Sequence, residues 1–521
     1  MKFLNELLSR PSIPAALLSS LLLLLSFPKF GNGLLAWIAL VPFFYSLRGK
    51  TVAQGAKTGF SVGMIFYVGL IYWIAYVIVV YGNLPYFVGI ALMLLLSAYL
   101  SLYFALFAAG VIYLKSRDIP LILSAPLLWV VLEFVKSNLL VGFPWENLGH
   151  SQYLHSRLIQ IADLTGGYGI SFLIVLINAI VYDLLTLRRE RKKVLIEVGM
   201  GVVLMASVCL YGILRERQVH EAVTMSPATQ VSLIQGNVDQ SVKWSPLYQK
   251  ETMEIYHALS LAAKNGSAPG MLVWPETAVP FYFQDVDDMH LRIVSLALQT
   301  GSWLLFGSPS YADGEAGPTF SNSAFLLSPE GETVARYDKV HLVPYGEYVP
   351  LRRFFPFIKK LTAGIGDFKS GEGFFPMEAG GRKIGVLICY EGILAEAGRA
   401  YKRQGAELLV NITNDAWFGK TSAPYQHLSM TVFRAVENRL FLARAANTGI
   451  SAIIDPAGNI LKQSGIFERT ILQDEIKFAK IPTLYSRCGD LFVYICLFLL
   501  VSIYFISEKR RKKCSKVCQQ T

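Results

Sequence analysis

The chain has 521 residues, 53% of them hydrophobic and 16% charged, and a mean hydropathy of +0.43. That balance excludes an ordinary soluble protein and indicates a membrane protein with a soluble part. The formal net charge of +11 does not argue for nucleic-acid binding, because between Arg215 and Arg487 basic and acidic residues are about equal in number and the excess sits in short loops and the C-terminal tail.

In chain order, apolar runs predict membrane helices at residues 13–27, 34–47, 58–80, 85–114, 119–135, 169–187, 194–214 and 491–506. Most approach the ~20 residues needed to cross a bilayer. The first two are short enough for a buried or tilted hairpin. The first run has a basic flank but no small-residue cleavage site, which predicts a retained helix rather than a removed signal peptide. Arg48 and Lys50, Lys115 and Arg117, the run RRERKK at 188–193 and the final EKRRKKCSK follow every second run, whereas the loops PKFGNG and YGNLPY carry almost no charge. The positive-inside rule then places both termini in the cytoplasm and the long segment before the last run on the other side. The expected organisation is a membrane domain of about seven transmembrane helices at 1–214, an extracytoplasmic domain at 215–487, a C-terminal transmembrane helix at 488–507 and a basic cytoplasmic tail at 508–521.

Residues 215–487 read differently. Short apolar runs at 230–238, 270–276, 302–309, 321–332, 382–391, 406–415 and 450–461 suit strands buried on both faces. Helical patterns lie between them at 248–264, 287–299, 395–404 and 427–446, and SPEG and DPAG mark hairpin turns. Alternating strands and helices over about 270 residues predict an α/β sandwich with its own core.

Three strands end on chemically useful side chains: LVWPE on Glu276, VARYDK on Lys339 and GVLIC on Cys389. Sites assemble at the carboxyl ends of strands in α/β sheets. A carboxylate there can take a thiol proton, an ammonium can stabilise thiolate and oxyanion, and the thiolate can attack a carbonyl to give a thioester. Taken singly, each has a plainer reading: solvated strand-end charges for Glu276 and Lys339, inert core for Cys389. Six cysteines, at 209, 389, 488, 496, 514 and 518, leave only Cys389 and Cys488 on the far side of the membrane, so Cys389 is expected to be a free thiol.

WPET at Glu276, YDKVHLVPYGEYVP at Lys339 and ICYEG at Cys389, in that order, resemble the nitrilase superfamily. PFFYSLRG, GFPWENLGHSQY, QGNVDQSVKW, NITNDAWFG and HLSMTVFRAVENRLFLARAANTGIS extend the resemblance over nearly the whole chain to its membrane branch, the bacterial apolipoprotein N-acyltransferases. The resemblance implies a nitrilase-like αββα sandwich inserted between transmembrane helices of the bacterial inner membrane, on its periplasmic side. It implies transfer of a fatty acyl chain from a phospholipid, typically phosphatidylethanolamine, through a thioester on Cys389 to the α-amino group of an S-diacylglyceryl cysteine at the N-terminus of an apolipoprotein, with neither metal nor cofactor. It assigns Glu276 as general base and Lys339 as stabiliser of the intermediate, with Glu347, Glu391, Tyr390 and Trp244 in support.

Two further stretches bear on lipid. The aromatic and basic segment 350–376, with Arg352, Arg353, Lys359 and Lys360, reads as a lid at the lipid interface or as an ordinary covered loop. Trp145 reads as an interfacial anchor or as part of a structural turn. The rivals are a membrane-tethered nitrilase-type amidase, a cysteine protease pairing Cys389 with His341, and a transporter or sensor whose outer domain only binds ligand, against which the scarcity of ionisable residues in the apolar runs weighs.

Overall fold

The structure is a computed structural model that describes residues 12–518 except 141, 188–189, 242, 265–269, 315–316, 345 and 349–367; of 513–518 it describes the backbone alone. Backbone contacts divide the chain into two units. One takes in the chain up to Ala75, Phe87–Arg215 and the part from Cys488 on; the other comprises Tyr76–Tyr86 and Glu216–Arg487.

Every predicted apolar run of the first unit is helical, but not every one is long. Among the described residues, Tyr86–Lys115, Leu121–Asn138, Gly167–Thr186, Arg191–Thr224 and Leu491–Lys512 are long and apolar enough to cross a membrane. The run expected as one span over 58–80 is instead a pair, Val52–Leu70 and Trp73–Val80, bent by 53°. Ser12–Ser26 and Gly33–Ser46 are shorter, so five or six helices have spanning length where the sequence predicts eight runs. The second of these short helices is held by buried hydrogen bonds: Asn178 on Gly167–Thr186 donates to the Ala36 carbonyl (2.9 Å) and accepts from the Leu40 amide (2.8 Å). Paired in this way, polar atoms in an apolar interior avoid the cost of burial without a partner. Trp145 is buried rather than exposed at an interface, its ring 4.8 Å from that of Trp73. The neighbouring Glu146 and His150 are buried with it.

The second unit is two six-stranded sheets. The first has the order β12-β1-β2-β3-β4-β5, from β1 (Ala228–Gln235), β2 (Met271–Val273), β3 (Trp303–Ala312), β4 (Thr319–Leu327), β5 (Thr333–Asp338) and β12 (Thr470–Lys477). The other has the order β11-β10-β9-β8-β7-β6, from β6 (Met377–Ala379), β7 (Arg382–Ile388), β8 (Leu408–Thr413), β9 (Phe441–Ala446), β10 (Ala452–Ile454) and β11 (Ile460–Gln463). Each sheet has a parallel trio, β1-β2-β3 or β7-β8-β9, flanked by antiparallel strands. Parallel strands are covered on both faces, which explains unbroken apolar stretches such as Ile384–Ile388 and Leu408–Val410.

Helices Pro246–Ala262 and Asp288–Thr300 cover the first sheet around Tyr256, Trp274, Phe283, Phe306 and Phe325, while Ala395–Arg403 and Ala423–Asn438 pack with the second. The helix expected over 427–446 stops at Asn438. Arg439 turns left-handed (φ 49°), and the alanine-rich FLARAA that follows becomes β9. All six of its residues are buried between β8 and β10, so sheet pairing overrides the helical preference of alanine.

Candidate active site

Glu276 is set by the turn after β2. Trp274, 1% exposed, stacks on Tyr256 and donates its indole N–H to Ser260 Oγ (2.9 Å), which pins the strand end. The chain then reverses at Thr277 (φ 48°) under β3, where only a glycine fits: a Cβ on Gly307 would lie 2.4 Å from Thr277 N and 2.7 Å from Glu276 Cα. The carboxylate is buried and fully engaged. Oε1 accepts from Asn322 Nδ2 (2.8 Å) and Oε2 from the Asn414 amide (2.9 Å).

Lys339 follows β5 directly, and its amide continues the sheet by donating to the Asn322 carbonyl (2.8 Å). The ammonium is 1% exposed, 2.8 Å from Glu347 Oε2, 2.9 Å from Glu347 Oε1 and 3.8 Å from Glu276 Oε1. A buried charge is tolerable only when paired and hydrogen-bonded. Burial works against this ammonium, but Glu347, then Glu276 and Cys389, outweigh it and hold Lys339 protonated well above the ordinary lysine range. Asn322 donates to Glu347 Oε1 (2.9 Å) as well as to Glu276, so one amide ties both carboxylates around the lysine.

Cys389 sits at the junction of β7 and a tight helical turn, Cys389–Ile393, with φ 52°. Glu391 holds that junction from within: its carboxylate accepts from the amides of Ile388 (2.8 Å), Val340 (2.8 Å) and His341 (3.0 Å) and from Tyr337 Oη (3.0 Å). Burial pushes Glu391 up to about 7, against Lys339 and these backbone donors, which pull it down. One carboxylate thereby joins the segment after Lys339 to the segment after β7, bridging the two sheets. The Cys389 thiol is pushed up by its enclosure and then by Glu276, while Lys339 favours the thiolate. A carboxylate and a fixed cation beside a thiol can chemically take its proton and stabilise the resulting charge.

The fold brings Glu276, Lys339, Cys389, Glu347 and Glu391 together, Glu276 and Lys339 from one sheet and Cys389 from the other. Tyr390 follows Cys389, its ring 6.4 Å from His341 and its phenol pushed up by burial. Trp244 makes no hydrogen bond or ring contact with these groups among the described residues. Its neighbour Lys243 does: wholly buried, it donates to Thr277 Oγ1 (2.8 Å) and the Glu276 carbonyl (3.3 Å), and burial brings it down to about 7 against the pull of Glu276. His341 pairs with Glu396 (3.6 Å), and the histidine touching the backbone of Cys389 is His427, Nε2 lying 3.2 Å from the Cys389 carbonyl oxygen.

Sequence reasoning missed Lys243, Asn322 and His427. The available signal was polar residues inside otherwise apolar buried elements, as in SNSAFLL and NITND. Tyr81, from the first half of the chain, also joins this unit: its hydroxyl donates to the Ala416 carbonyl (2.9 Å) and its ring meets Trp417 edge-on at 4.8 Å. Residues 349–367 of the expected lid, including Arg352, Arg353, Lys359 and Lys360, lie outside the described residues. The end of that stretch is anchored beside the site, the Phe368 amide donating to the Glu347 carbonyl (3.0 Å) and the Gly371 amide to that of Lys339 (2.9 Å). Cys209, Cys389, Cys488 and Cys496 are free thiols. Among the described residues no group of three or more His, Cys, Asp or Glu is arranged to hold a metal ion.

Comparison with known proteins gives two family matches: the carbon-nitrogen hydrolases over residues 230–484 and the apolipoprotein N-acyltransferase N-terminal domain over residues 19–180. An apolipoprotein N-acyltransferase of Geobacter metallireducens is 46% identical over 486 residues, 92% of either chain. One of Pasteurella multocida is 31% identical over 512 residues, covering 95% of this chain and 96% of its own. Among solved structures, an amidase from Nesterenkonia sp. is similar at 25% identity and a TM-score of 0.38, covering 51% of this chain and 95% of its own. With relatives matched along almost their full length, the chain belongs to the apolipoprotein N-acyltransferase family.

Proposed function

We propose that the enzyme, an acyltransferase of lipoproteins by its family, works through a thioester on Cys389. The convergence of Glu276, Lys339 and Cys389 from two sheets is the observation that carries the reading. The Glu276 carboxylate takes the thiol proton, and the thiolate attacks the sn-1 ester carbonyl of a phospholipid. The oxyanion forms beside the Lys339 ammonium and collapses by expelling the lysophospholipid alkoxide, which recovers the proton from Glu276. In the second half the α-amine of the diacylglyceryl cysteine attacks the thioester carbonyl, Glu276 takes the amine proton, and the thiolate leaves and recovers that proton, restoring the thiol and the carboxylate. Glu347 keeps Lys339 charged, and Glu391 fixes the two segments that carry Lys339 and Cys389.

Phosphatidylethanolamine is the proposed donor, and the bacterial inner membrane with the catalytic unit on its periplasmic face the proposed location. The basic residues after alternate apolar runs support that orientation. The match to the family's N-terminal domain and the helices of spanning length support a bilayer substrate over the small amide of a tethered amidase. The test is incubation of the full-length protein with phosphatidylethanolamine carrying a labelled sn-1 chain, with and without a diacylated lipopeptide. Labelled acyl on Cys389, discharged to the peptide amine and absent from Cys389→Ala, is expected. Transfer by Cys389→Ala refutes the thioester route.

A further inference from the structure

Behind the nucleophile lies a buried polar cluster that the proposed chemistry leaves unused. Asn411 and Thr413 stand two apart on β8 and so share one face of the sheet, Asp415 follows, His427 comes from helix Ala423–Asn438 and Arg444 from β9. All five side chains are at most 1% exposed. Arg444 Nη2 lies 2.7 Å from Asp415 Oδ2 and 3.1 Å from His427 Nδ1; Thr413 Oγ1 donates to Asp415 Oδ1 (3.0 Å), which is itself 3.0 Å from His427 Nδ1. Arg444 also donates to Asn411 Oδ1 and to the Ile450 carbonyl (3.1 Å). The cluster meets the site at Cys389: the carbonyl oxygen lies 3.2 Å from His427 Nε2 and 3.3 Å from Asn411 Nδ2, and Thr413 also hydrogen-bonds the Cys389 side chain.

We propose that His427 is a positioning residue for the acylation step: with Asn411 it grips the Cys389 carbonyl and fixes the peptide that joins the nucleophile to Tyr390. A carbonyl oxygen can only accept, so the grip on Cys389 requires the proton on Nε2; Nδ1 stands between Arg444, which can only donate, and Asp415 Oδ1, which can only accept, and Asp415 fastens Arg444 in place. Burial, and then Arg444, lower the imidazole's affinity for a proton against the pull of Asp415.

The grip matters because Cys389 is not at rest. Its φ of 52° is a region that a residue with a Cβ leaves unless its surroundings hold it there. The peptide is planar and trans, so its carbonyl and the Tyr390 N–H point in opposite directions, and holding one end sets the other. Rotation of this peptide swings the Cα–Cβ bond that aims the sulfur. Side chains from β8, β9 and a helix thus hold one backbone oxygen and, through it, the direction of attack.

This inference rests on Cys389 being the acyl-carrying nucleophile, and the test separates the two. The full-length protein is given labelled phospholipid, and the rate of acyl-enzyme formation is measured against phospholipid concentration for wild type, Cys389→Ala, His427→Gln and His427→Asn. The glutamine amide reaches the place of Nε2, while that of asparagine ends near Nδ1. His427→Gln is expected to stay within about threefold of wild type and His427→Asn to lose about 10- to 100-fold in the saturating rate at an unchanged KM, the scale set by an ångström of misplacement. Thermal unfolding of each variant establishes that it is folded. If His427→Asn does not fold, His427→Phe, which fills the ring's space without a donor, takes its place with the same expectation. Gln and Asn variants of equal rate, or a loss confined to KM, overturn the positioning role. Acyl-enzyme in Cys389→Ala overturns the reading beneath it, and an inactive Cys389→Ala beside equal His427 variants removes the positioning role alone.

Discussion

Gly307→Ala places one methyl group under the turn that carries Glu276. The new Cβ would stand 2.4 Å from Thr277 N and 2.7 Å from Glu276 Cα, against an ordinary contact of at least 3.4 Å, so about 1 Å of relief is needed. β3 cannot supply it easily. The Gly307 amide donates to the Pro275 carbonyl (3.2 Å) and its carbonyl accepts from Val279 (3.0 Å), while its neighbours Leu305 and Phe306 are wholly buried in the core. The turn therefore moves, and Glu276 moves with it away from the thiol. Misplacement of a reacting group by 1 Å costs about 100-fold in rate, and overpacking of this size costs about 1–3 kcal/mol of stability, small enough to leave a folded enzyme. The assay is single-turnover acylation of Cys389 by labelled phospholipid at saturating concentration, with thermal unfolding of the same preparation. Gly199→Ala is the control, since nothing lies within 4 Å of its added Cβ, and its rate is expected to match wild type. A folded Gly307→Ala protein acylating within about threefold of wild type refutes the placement of Glu276 as the base, as does a loss that appears only in KM.

Glu347→Gln removes the strongest support for the Lys339 ammonium and leaves burial opposed by Glu276 and Cys389 alone. Lys339 then loses its proton at lower pH, so the alkaline limb of the kcat/KM profile moves down; an unmoved limb denies Glu347 that role. In wild type the contribution of this raised lysine to stability is present throughout the range below the ordinary lysine value and is lost only as pH rises through the higher folded one. Lys243→Met keeps the length of a buried side chain but removes the donor to Thr277 Oγ1 and the Glu276 carbonyl; the expectation is about a tenfold slower acylation, with a midpoint of unfolding close to wild type because the buried amine is itself costly. Asp415 is held down to about 2: burial opposes its charge, but Arg444 and then His427 outweigh that effect. Its contribution is therefore complete above the ordinary aspartate value and fades as pH falls from about 4 toward 2, a slope in acid unfolding that Asp415→Asn is expected to flatten. Phe283→Ala empties a site that is 1% exposed and packed edge-on against Phe306 at 4.8 Å and Phe325 at 5.3 Å. A loss of about 3–5 kcal/mol is expected, seen as a midpoint lowered by on the order of 10 °C.

The sequence by itself determined what depends on neighbours along the chain. Apolar runs and basic loops mark the helical part, buried strands announce themselves as unbroken aliphatic stretches, and Glu276, Lys339 and Cys389 each stand at or just past a strand end where such residues meet. Tertiary structure decided what depends on neighbours in space. The alanine-rich stretch after Asn438 has the composition of a helix and becomes β9 because the gap between β8 and β10 is filled by a strand. His341 lies two residues from Lys339 and faces Glu396, whereas His427, remote in sequence, reaches the Cys389 carbonyl. Trp244 carried the more conspicuous wording, yet Lys243 holds the Glu276 turn. In each case burial makes the choice: a polar group taken from water must find its partner wherever the folded chain presents one, and periodicity along the sequence holds no record of which residues two sheets and their helices bring within 3 Å.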